Sequence, residues 1–263
     1  MKMNMKKLLD NPAISRVIFY PRKVEIPNNL KSNIIPLKFK IESNVIIGGY
    51  VFLNDKNLPT ILYFHGNGEI ALDYHYFAPE FFECNVNLAV ADFRGYGHST
   101  GEPSYSNLIN DSVPTYKHFQ EWLINNSYNA NTFVFGRSLG SICAAEIGSH
   151  QLDNLKGIIF ESGFASTYNL IKHFGIHIPT LKPQDIAPYS NDTRIQQFQY
   201  PSLVIHGTTD FIIPTSEGEL IYENLPEKID KKLILIEGAT HNNISSFTEE
   251  YFGSLCEFIQ KHK

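Results

Sequence analysis

A serine set between two glycines, directly after a short apolar run, is the feature that most restricts how this chain can fold. Residues 133–141 read FVFGRSLGS, and residues 142–147 have the apolar character of a packed helix. This pattern predicts a buried strand, a sharp turn that raises Ser138 above the sheet, and a helix. Gly136 and Gly140 suit such a turn, which leaves no room for side chains and can require positive φ. On its own, Ser138 could equally be a helix N-cap, so its role depends on the residues elsewhere in the chain.

A nucleophilic serine needs a base within hydrogen-bond reach and a third group that orients this base. When the serine lies on a strand-to-helix turn, the acid and then the histidine follow it along the chain. Two histidines lie beyond residue 206: His262, in the terminal Lys-His-Lys, and His241, which follows the apolar run 233–236 and a short loop. Chain ends tend to fray. We therefore predict that His241 is the base.

The acid is expected on a loop that leaves another strand between Ser138 and His241. Asp210 meets this condition, because it ends a loop that follows the apolar run 201–205. Glu237 also follows a strand-like run, but only a few residues separate it from His241. Asp210 is the predicted acid and Glu237 the alternative. An aspartate that merely caps its loop is the other interpretation of Asp210.

Hydrolysis through a tetrahedral intermediate requires backbone N–H groups directed at the oxyanion. The amide of Leu139, directly after the serine, is one expected donor, and the second should come from a loop after an earlier strand. Residues 61–69 read ILYFHGNGE, a strand-like run followed by a glycine-containing loop. We predict the main-chain N–H of Asn67 as the second donor. His65 is expected to bond nearby backbone and to have no catalytic role.

These motifs carry a family resemblance that extends over nearly the whole chain. The segments are FYP at 19–21, HGNG at 65–68, DFRGYGHS at 92–99, GRSLG at 136–140 and GATHN at 238–242. In this order they resemble the α/β-hydrolase fold superfamily, most closely the single-domain serine hydrolases that include depalmitoylase-like α/β-hydrolase-domain enzymes. The resemblance implies a mostly parallel central sheet flanked by helices.

The same resemblance implies a catalytic set that agrees with the residues reached above. Ser138 would be the nucleophile, Asp210 the acid and His241 the base, with the amides of Asn67 and Leu139 forming the oxyanion hole. It also implies a structural role for the segment 92–99.

The order of strand-like and helix-like segments independently favours the α/β class. Residues 37–42 and 45–53 predict an opening antiparallel pair, after which strands and helices alternate, as in a parallel sheet covered on both faces. A helix is predicted over residues 70–82, with Leu72, Tyr76 and Phe77 facing inward, and another over 108–124, which Pro114 should shorten or kink. Residues 1–263 are expected to form a single α/β-hydrolase domain.

Residues 163–199 interrupt this alternation, with several prolines and aromatics and weak helical periodicity. We predict that they form a short cap insertion over the site. Four apolar residues of the cap could line an acyl-binding pocket, or could only pack the cap onto the core: Phe164, Tyr168, Phe174 and Ile176. His173 and His177 are spaced like a metal-binding pair, but no carboxylate with matching spacing joins them, so no metal is expected.

Composition limits the remaining possibilities. A net charge of −5 and a pI near 6.1 offer no basic face for nucleic acid. No run is long and apolar enough for a transmembrane helix or a signal peptide, which predicts a cytoplasmic protein. Three widely spaced cysteines, Cys84, Cys143 and Cys256, indicate buried thiols without a disulfide framework. No dinucleotide or phosphate-binding glycine motif is present, so no cofactor is expected.

Three function classes remain at this stage. A serine hydrolase of carboxylic ester or thioester bonds, acting on a small-molecule or acyl ester substrate, is favoured. A serine peptidase or amidase could use the same triad, although 263 residues leave little room for a peptide-holding domain. A non-catalytic binding protein of this fold is the third class. The sequence does not specify the oligomeric state.

Overall fold

The computed structural model describes residues 5–175, 178 and 181–263, and its centre is one eight-stranded sheet. The strands are β1 (Ile34–Glu42), β2 (Val45–Phe52), β3 (Thr60–Phe64), β4 (Asn87–Ala91), β5 (Thr132–Arg137), β6 (Leu155–Glu161), β7 (Ser202–Gly207) and β8 (Lys231–Ile236). Their order across the sheet is β1-β2-β4-β3-β5-β6-β7-β8.

The sheet is antiparallel at one edge and parallel elsewhere. β1 pairs with β2, and β2 with β4, in antiparallel register. All pairs from β4 through β3, β5, β6 and β7 to β8 are parallel. The predicted opening antiparallel pair and mostly parallel sheet are therefore confirmed. The carboxyl ends of β3, β5, β6, β7 and β8 consequently meet at one edge, where open α/β sheets bind their ligands.

Helices cover both faces of this sheet. They are α1 (Met5–Leu9), α2 (Pro12–Ile18), α3 (Ala78–Phe82), α4 (Tyr105–Asn125), α5 (Ser141–Gly148), α6 (Thr167–His173), α7 (Pro183–Ile186), α8 (Asn191–Ile195), α9 (Thr215–Asn224) and α10 (Thr248–His262). Short 3₁₀ turns occupy Ala71–Tyr76, Ser138–Gly140, Ala187–Tyr189 and Ile244–Ser246.

Alternation along the strands divides the core into two layers. On β5, Phe133 and Phe135 join the cluster under α3 and α10, where Phe133 packs against Phe258. The intervening Val134 joins the opposite cluster with Phe119 of α4 and residues of α5. Because successive side chains of a strand point to opposite faces, one buried strand serves both layers.

Two helix predictions need correction. The segment predicted as one helix over residues 70–82 is a 3₁₀ turn followed by α3, because Pro79 near the start of α3 cannot supply the amide that a continuous helix would use. Tyr76 and Phe77 are 76% and 47% exposed, so they do not face inward. Pro114 neither ends nor shortens α4, which continues through it from Tyr105 to Asn125.

The cysteine prediction is wrong for two of the three residues. Cys84 and Cys256 form a disulfide that links positions 172 residues apart, between the end of α3 and α10. Nothing in their spacing indicated this, because both lie on the same face of the sheet only after folding. Cys143 is a buried free thiol, and burial raises its pKa to about 12, so it is protonated and unreactive.

The segment at 163–199 lies between β6 and β7, and its described residues include α6, α7, α8 and the 3₁₀ turn Ala187–Tyr189. Ile176 and His177 lie outside the described residues, so their predicted roles stay predictions. Across the described part of the chain, no helix is long and apolar enough to span a bilayer.

Candidate active site

Ser138 lies on the sharp turn between β5 and α5. Its φ is +49°, a left-handed conformation that costs a residue with a side chain about 1–3 kcal/mol. A Cβ at Gly136 would lie 2.6 Å from the carbonyl oxygen of Gly140, and one at Gly140 would lie 2.0 Å from that of Phe64. Close packing therefore requires glycine at both positions. The positive φ of this turn belongs to Ser138 itself and not to either glycine.

His241 and Asp210 form a close pair on the loops after β8 and β7. His241 Nδ1 lies 2.7 Å from Asp210 Oδ2, and the side chains are 8% and 0% exposed. The other carboxylate oxygen of Asp210 accepts hydrogen bonds from the amides of Ile212 (2.9 Å) and Ile213 (2.8 Å). An ionised carboxylate only accepts, so Nδ1 carries the proton and Nε2 is the basic nitrogen.

The environment of Asp210 keeps it ionised. Burial alone would raise its pKa, but hydrogen bonds from His206 and His241, together with the Ile213 amide, hold the pKa of the carboxyl well below its usual range. His206 Nε2 is 3.5 Å from Asp210 Oδ2 and bonds the Ile213 carbonyl at 2.9 Å. His206 is therefore a neighbour of Asp210 that sequence reasoning missed.

The alternative candidates for the acid and the base, Glu237 and His262, lie in other surroundings. Glu237 is exposed, and the imidazole of His241 has Asp210 as its carboxylate partner. His262 ends α10, where its Nε2 lies 2.8 Å from Asp230.

The loop after β3 is held in place through the side chain of Asn67. Its Oδ1 accepts from the amide of Tyr20 (2.9 Å) and the hydroxyl of Tyr96 (2.8 Å), and its Nδ2 donates to the carbonyl of Ile18 (2.6 Å). Both ends of the Asn67 side-chain amide are therefore engaged in hydrogen bonds. His65 is fully buried and bonds the carbonyl of Gly66 at 2.7 Å, as predicted for a strand-end histidine.

Ser138, His241, Asn67 and Leu139 all line one cavity of about 440 Å³. This volume is within the usual range for small-molecule sites. The remaining lining residues are Ile18, Tyr20, Gly66, Glu69, Arg137, Phe164, Leu170, Phe174, Ile212, Ile213 and Asn242. Asp210 lies behind His241, in contact with its imidazole.

Of the four predicted substrate-binding residues, two line the cavity, one packs elsewhere, and one lies outside the described residues. Phe164 is buried and Phe174 is 45% exposed, and both line the cavity. Tyr168 is not among the described residues that line it: its side chain packs against the core, with the ammonium of Lys172 5.5 Å from its ring centre. Ile176 is outside the described residues.

Sequence reasoning missed the cavity walls formed by Ile18 and Tyr20, before the sheet, and by Ile212 and Ile213, after β7. The latter pair lies two and three residues after Asp210, and this proximity was the available signal. Among the described residues, no group of three or more His, Cys, Asp or Glu side chains is placed to hold a metal ion.

Comparison with known proteins gives a consistent class. The family model described as "Serine aminopeptidase, S33" matches residues 55–181. The protein bem46 of Schizosaccharomyces pombe is 25% identical over 252 residues, which cover 91% of this chain and 81% of bem46. The human alpha/beta hydrolase domain-containing protein 17C is 27% identical over 205 residues. That match covers 76% of this chain but only 57% of the human protein.

A solved structure extends the likeness to the fold. The esterase Pf2001 of Pyrococcus furiosus superposes with a TM-score of 0.71 at 20% identity, covering 92% of this chain and 98% of the esterase chain. The fold is that of the α/β hydrolases, and the chain is similar in sequence to proteins of that superfamily. Within it, the chain resembles the depalmitoylase-like α/β-hydrolase-domain proteins.

Proposed function

We propose that this protein is a serine hydrolase that cleaves carboxylic ester or thioester bonds through an acyl-enzyme. Ser138 is the nucleophile, His241 the general base and Asp210 the acid that orients it. The observation that carries the proposal is the 2.7 Å pairing of His241 with Asp210, beside a cavity that His241 shares with Ser138.

The reaction would follow from these roles. The Ser138 oxygen attacks the substrate carbonyl while His241 takes its proton, and the main-chain N–H groups of Asn67 and Leu139 stabilise the oxyanion. The imidazolium then gives its proton to the departing alcohol or thiol, which leaves an ester on Ser138. Water attacks this ester with His241 again as base, and the carboxylic acid is released. Asp210 stays ionised throughout, because its pKa is strongly lowered.

A serine aminopeptidase is the second candidate, because the matching family model carries that description. Such an enzyme needs an anionic group for the α-ammonium of its substrate. Glu69 is the carboxylate among the described residues that line the cavity, and it is already paired with Arg137 at 2.8 Å. Apolar side chains such as Phe164 and Leu170 line the same space. This arrangement favours an uncharged acyl group.

We further propose that residues 163–199 act as a cap within a single hydrolase domain. Phe164, Leu170 and Phe174 all come from this segment and all line the cavity, which supports the role. The acyl chain would lie among them, above Ser138.

Two measurements test the proposal. A fluorophosphonate probe should label wild-type protein but not Ser138→Ala, and absence of labelling would contradict a serine hydrolase. A panel of p-nitrophenyl esters of rising chain length, with aminoacyl anilides in parallel, separates the two candidates. Faster cleavage of anilides than of esters would overturn the esterase assignment.

The acid has its own test. Asp210→Asn should lower turnover by about four powers of ten, because the amide favours the wrong imidazole tautomer. The matched control Glu237→Gln should retain activity, since Glu237 is exposed. Equal losses in both variants would remove Asp210 as the acid.

The cytoplasmic location stays a prediction, and the Cys84–Cys256 disulfide speaks against it. Disulfides persist in oxidising compartments and are rare in the cytoplasm. Alkylation of free thiols in freshly lysed cells decides the matter: two more alkylated cysteines than in the oxidised protein would support the cytoplasm.

A further inference from the structure

Arg137 occupies the variable position between Gly136 and Ser138, and its guanidinium contacts two other loops of the site. Its Nε donates to Glu69 Oε1 (2.8 Å) and its Nη1 to Glu161 Oε1 (2.6 Å). Nη1 also donates to the main-chain carbonyl of His241 (3.0 Å). Nη2 donates to the side-chain oxygen of Asn242 (3.2 Å). The side chain is 12% exposed, so these contacts are largely shielded from water.

Through Glu69, the same guanidinium reaches the oxyanion loop. The second oxygen of Glu69 accepts from the amide of Gly66 (2.9 Å) and the hydroxyl of Tyr74 (2.6 Å). Gly66 directly precedes Asn67. One side chain therefore connects the turn that carries Ser138, the loop that carries His241 and the loop that carries Asn67.

Glu161, at the end of β6, anchors the guanidinium of Arg137 to the core. Its Oε2 accepts from the hydroxyls of Tyr251 (2.6 Å) and Tyr63 (3.2 Å), and its side chain is 4% exposed. Burial would raise the pKa of Glu69, but Arg137 and the Tyr74 hydroxyl lower it to about 2. The ion pair between Arg137 and Glu69 therefore persists wherever the histidine can act as a base.

The contact with His241 is to its main chain, so it positions the loop without competing for the imidazole. A loop displaced by about 1 Å can cost about 100-fold in rate. The four contacts of Arg137 need a planar fork of N–H donors, which the single ammonium of lysine does not provide.

We propose that Arg137 is a positioning residue that holds the His241 and Asn67 loops in register with Ser138. This inference rests on the proposed function, because the register matters only if these groups act together. Arg137 touches no reacting atom in this scheme. Its loss should lower kcat and leave KM nearly unchanged, since the apolar walls of the cavity remain.

The test compares Arg137→Ala and Arg137→Lys with Arg94→Ala. Arg94 is a matched control: its side chain is 10% exposed and it pairs at 2.6 Å with both Asp111 and Glu42, on α4 and β1. Kinetics on a p-nitrophenyl ester would be measured per fluorophosphonate-titrated site, alongside thermal unfolding. Both alanine variants should lose stability, but Arg137→Ala should lose about 100-fold in kcat per site while Arg94→Ala stays near wild type.

Two further readouts separate positioning from folding. Arg137→Lys keeps the buried charge and supplies folded protein if the alanine variant does not fold, and it should still show the loss of kcat. Added guanidinium chloride, below denaturing concentrations, should restore part of the kcat of Arg137→Ala and none of that of Ser138→Ala. Wild-type kcat per titrated site in Arg137→Lys, or equal losses in both alanine variants, would overturn the role of Arg137 alone. Absence of labelling in the wild type would overturn the proposed function and this role with it.

Discussion

Removing the Cys84–Cys256 disulfide should lower the stability of the fold by several kcal/mol. The bond closes a loop of 172 residues, most of the chain, so it restricts the unfolded state strongly. The chain-entropy relation gives a loss of about 17 cal/mol/K for a loop of this length, or about 5 kcal/mol at 25 °C. Domains of ordinary stability unfold with about 5–15 kcal/mol, so this is a large share.

Urea unfolding with and without reductant measures this quantity directly. Because about 1 kcal/mol corresponds to about 2–4 °C for a chain of this size, reduction should also lower Tm by about 10–20 °C. Cys256→Ala is the variant of choice, since Cys256 is only partly buried whereas Cys84 is fully buried. In reductant, Cys256→Ala and wild type should nearly coincide.

Two results would refute the reasoning. Equal urea midpoints for oxidised and reduced wild type would show that the closed loop does not stabilise the fold. Three alkylatable thiols in unfolded, non-reduced protein would show that the bond is not formed.

Three other predictions concern the site and its surroundings. Gly140→Ala should abolish activity and destabilise the fold, because the new Cβ would lie 2.0 Å from the Phe64 carbonyl. In the control Gly253→Ala, on α10, the new Cβ meets nothing within 4 Å, so this variant should stabilise the fold by up to about 1 kcal/mol. The urea midpoints of the two variants test this difference. Phe174→Ala should flatten a dependence of up to about 0.8 kcal/mol per methylene on acyl chain length and leave acetyl ester cleavage nearly unchanged, so equal losses on both substrates would contradict an acyl slot. The pKa of Glu69 is lowered to about 2, below its value in the unfolded chain. The contribution of the Glu69 carboxylate to stability is therefore complete above about pH 4.5 and is lost as the pH falls towards 2. Glu69→Gln should flatten the decline in unfolding free energy over that pH interval.

The sequence predicted the sheet well because its strands are continuous apolar runs between clear turns. The opening pair, β5, β7 and β8 all appear within a few residues of their predicted bounds. Proline effects were harder to predict, since Pro79 divides one predicted helix and Pro114 is accommodated within another. Local pattern does not show whether neighbouring packing offsets a missing amide.

The candidate site could be predicted where chain order constrains chemistry, and not where distant segments meet. Ser138, Asp210 and His241 follow a fixed order after separate strands, which made them recognisable as candidates. Arg137 contacts the loop of His241 directly and the loop of Gly66 through Glu69, and these contacts join residues far apart in sequence. The disulfide does the same. Such pairings depend on the three-dimensional register of the strands.

The side chain of Asn67 has a practical consequence for anyone who handles this protein. Its amide holds the carbonyl of Ile18 and the amide of Tyr20, and both of these residues form part of the cavity wall. A shortened start or a bulky purification handle placed close to residue 18 would disturb the same loop that presents the Asn67 main chain. A catalytic comparison between differently engineered versions is therefore meaningful only if they share one N-terminal design.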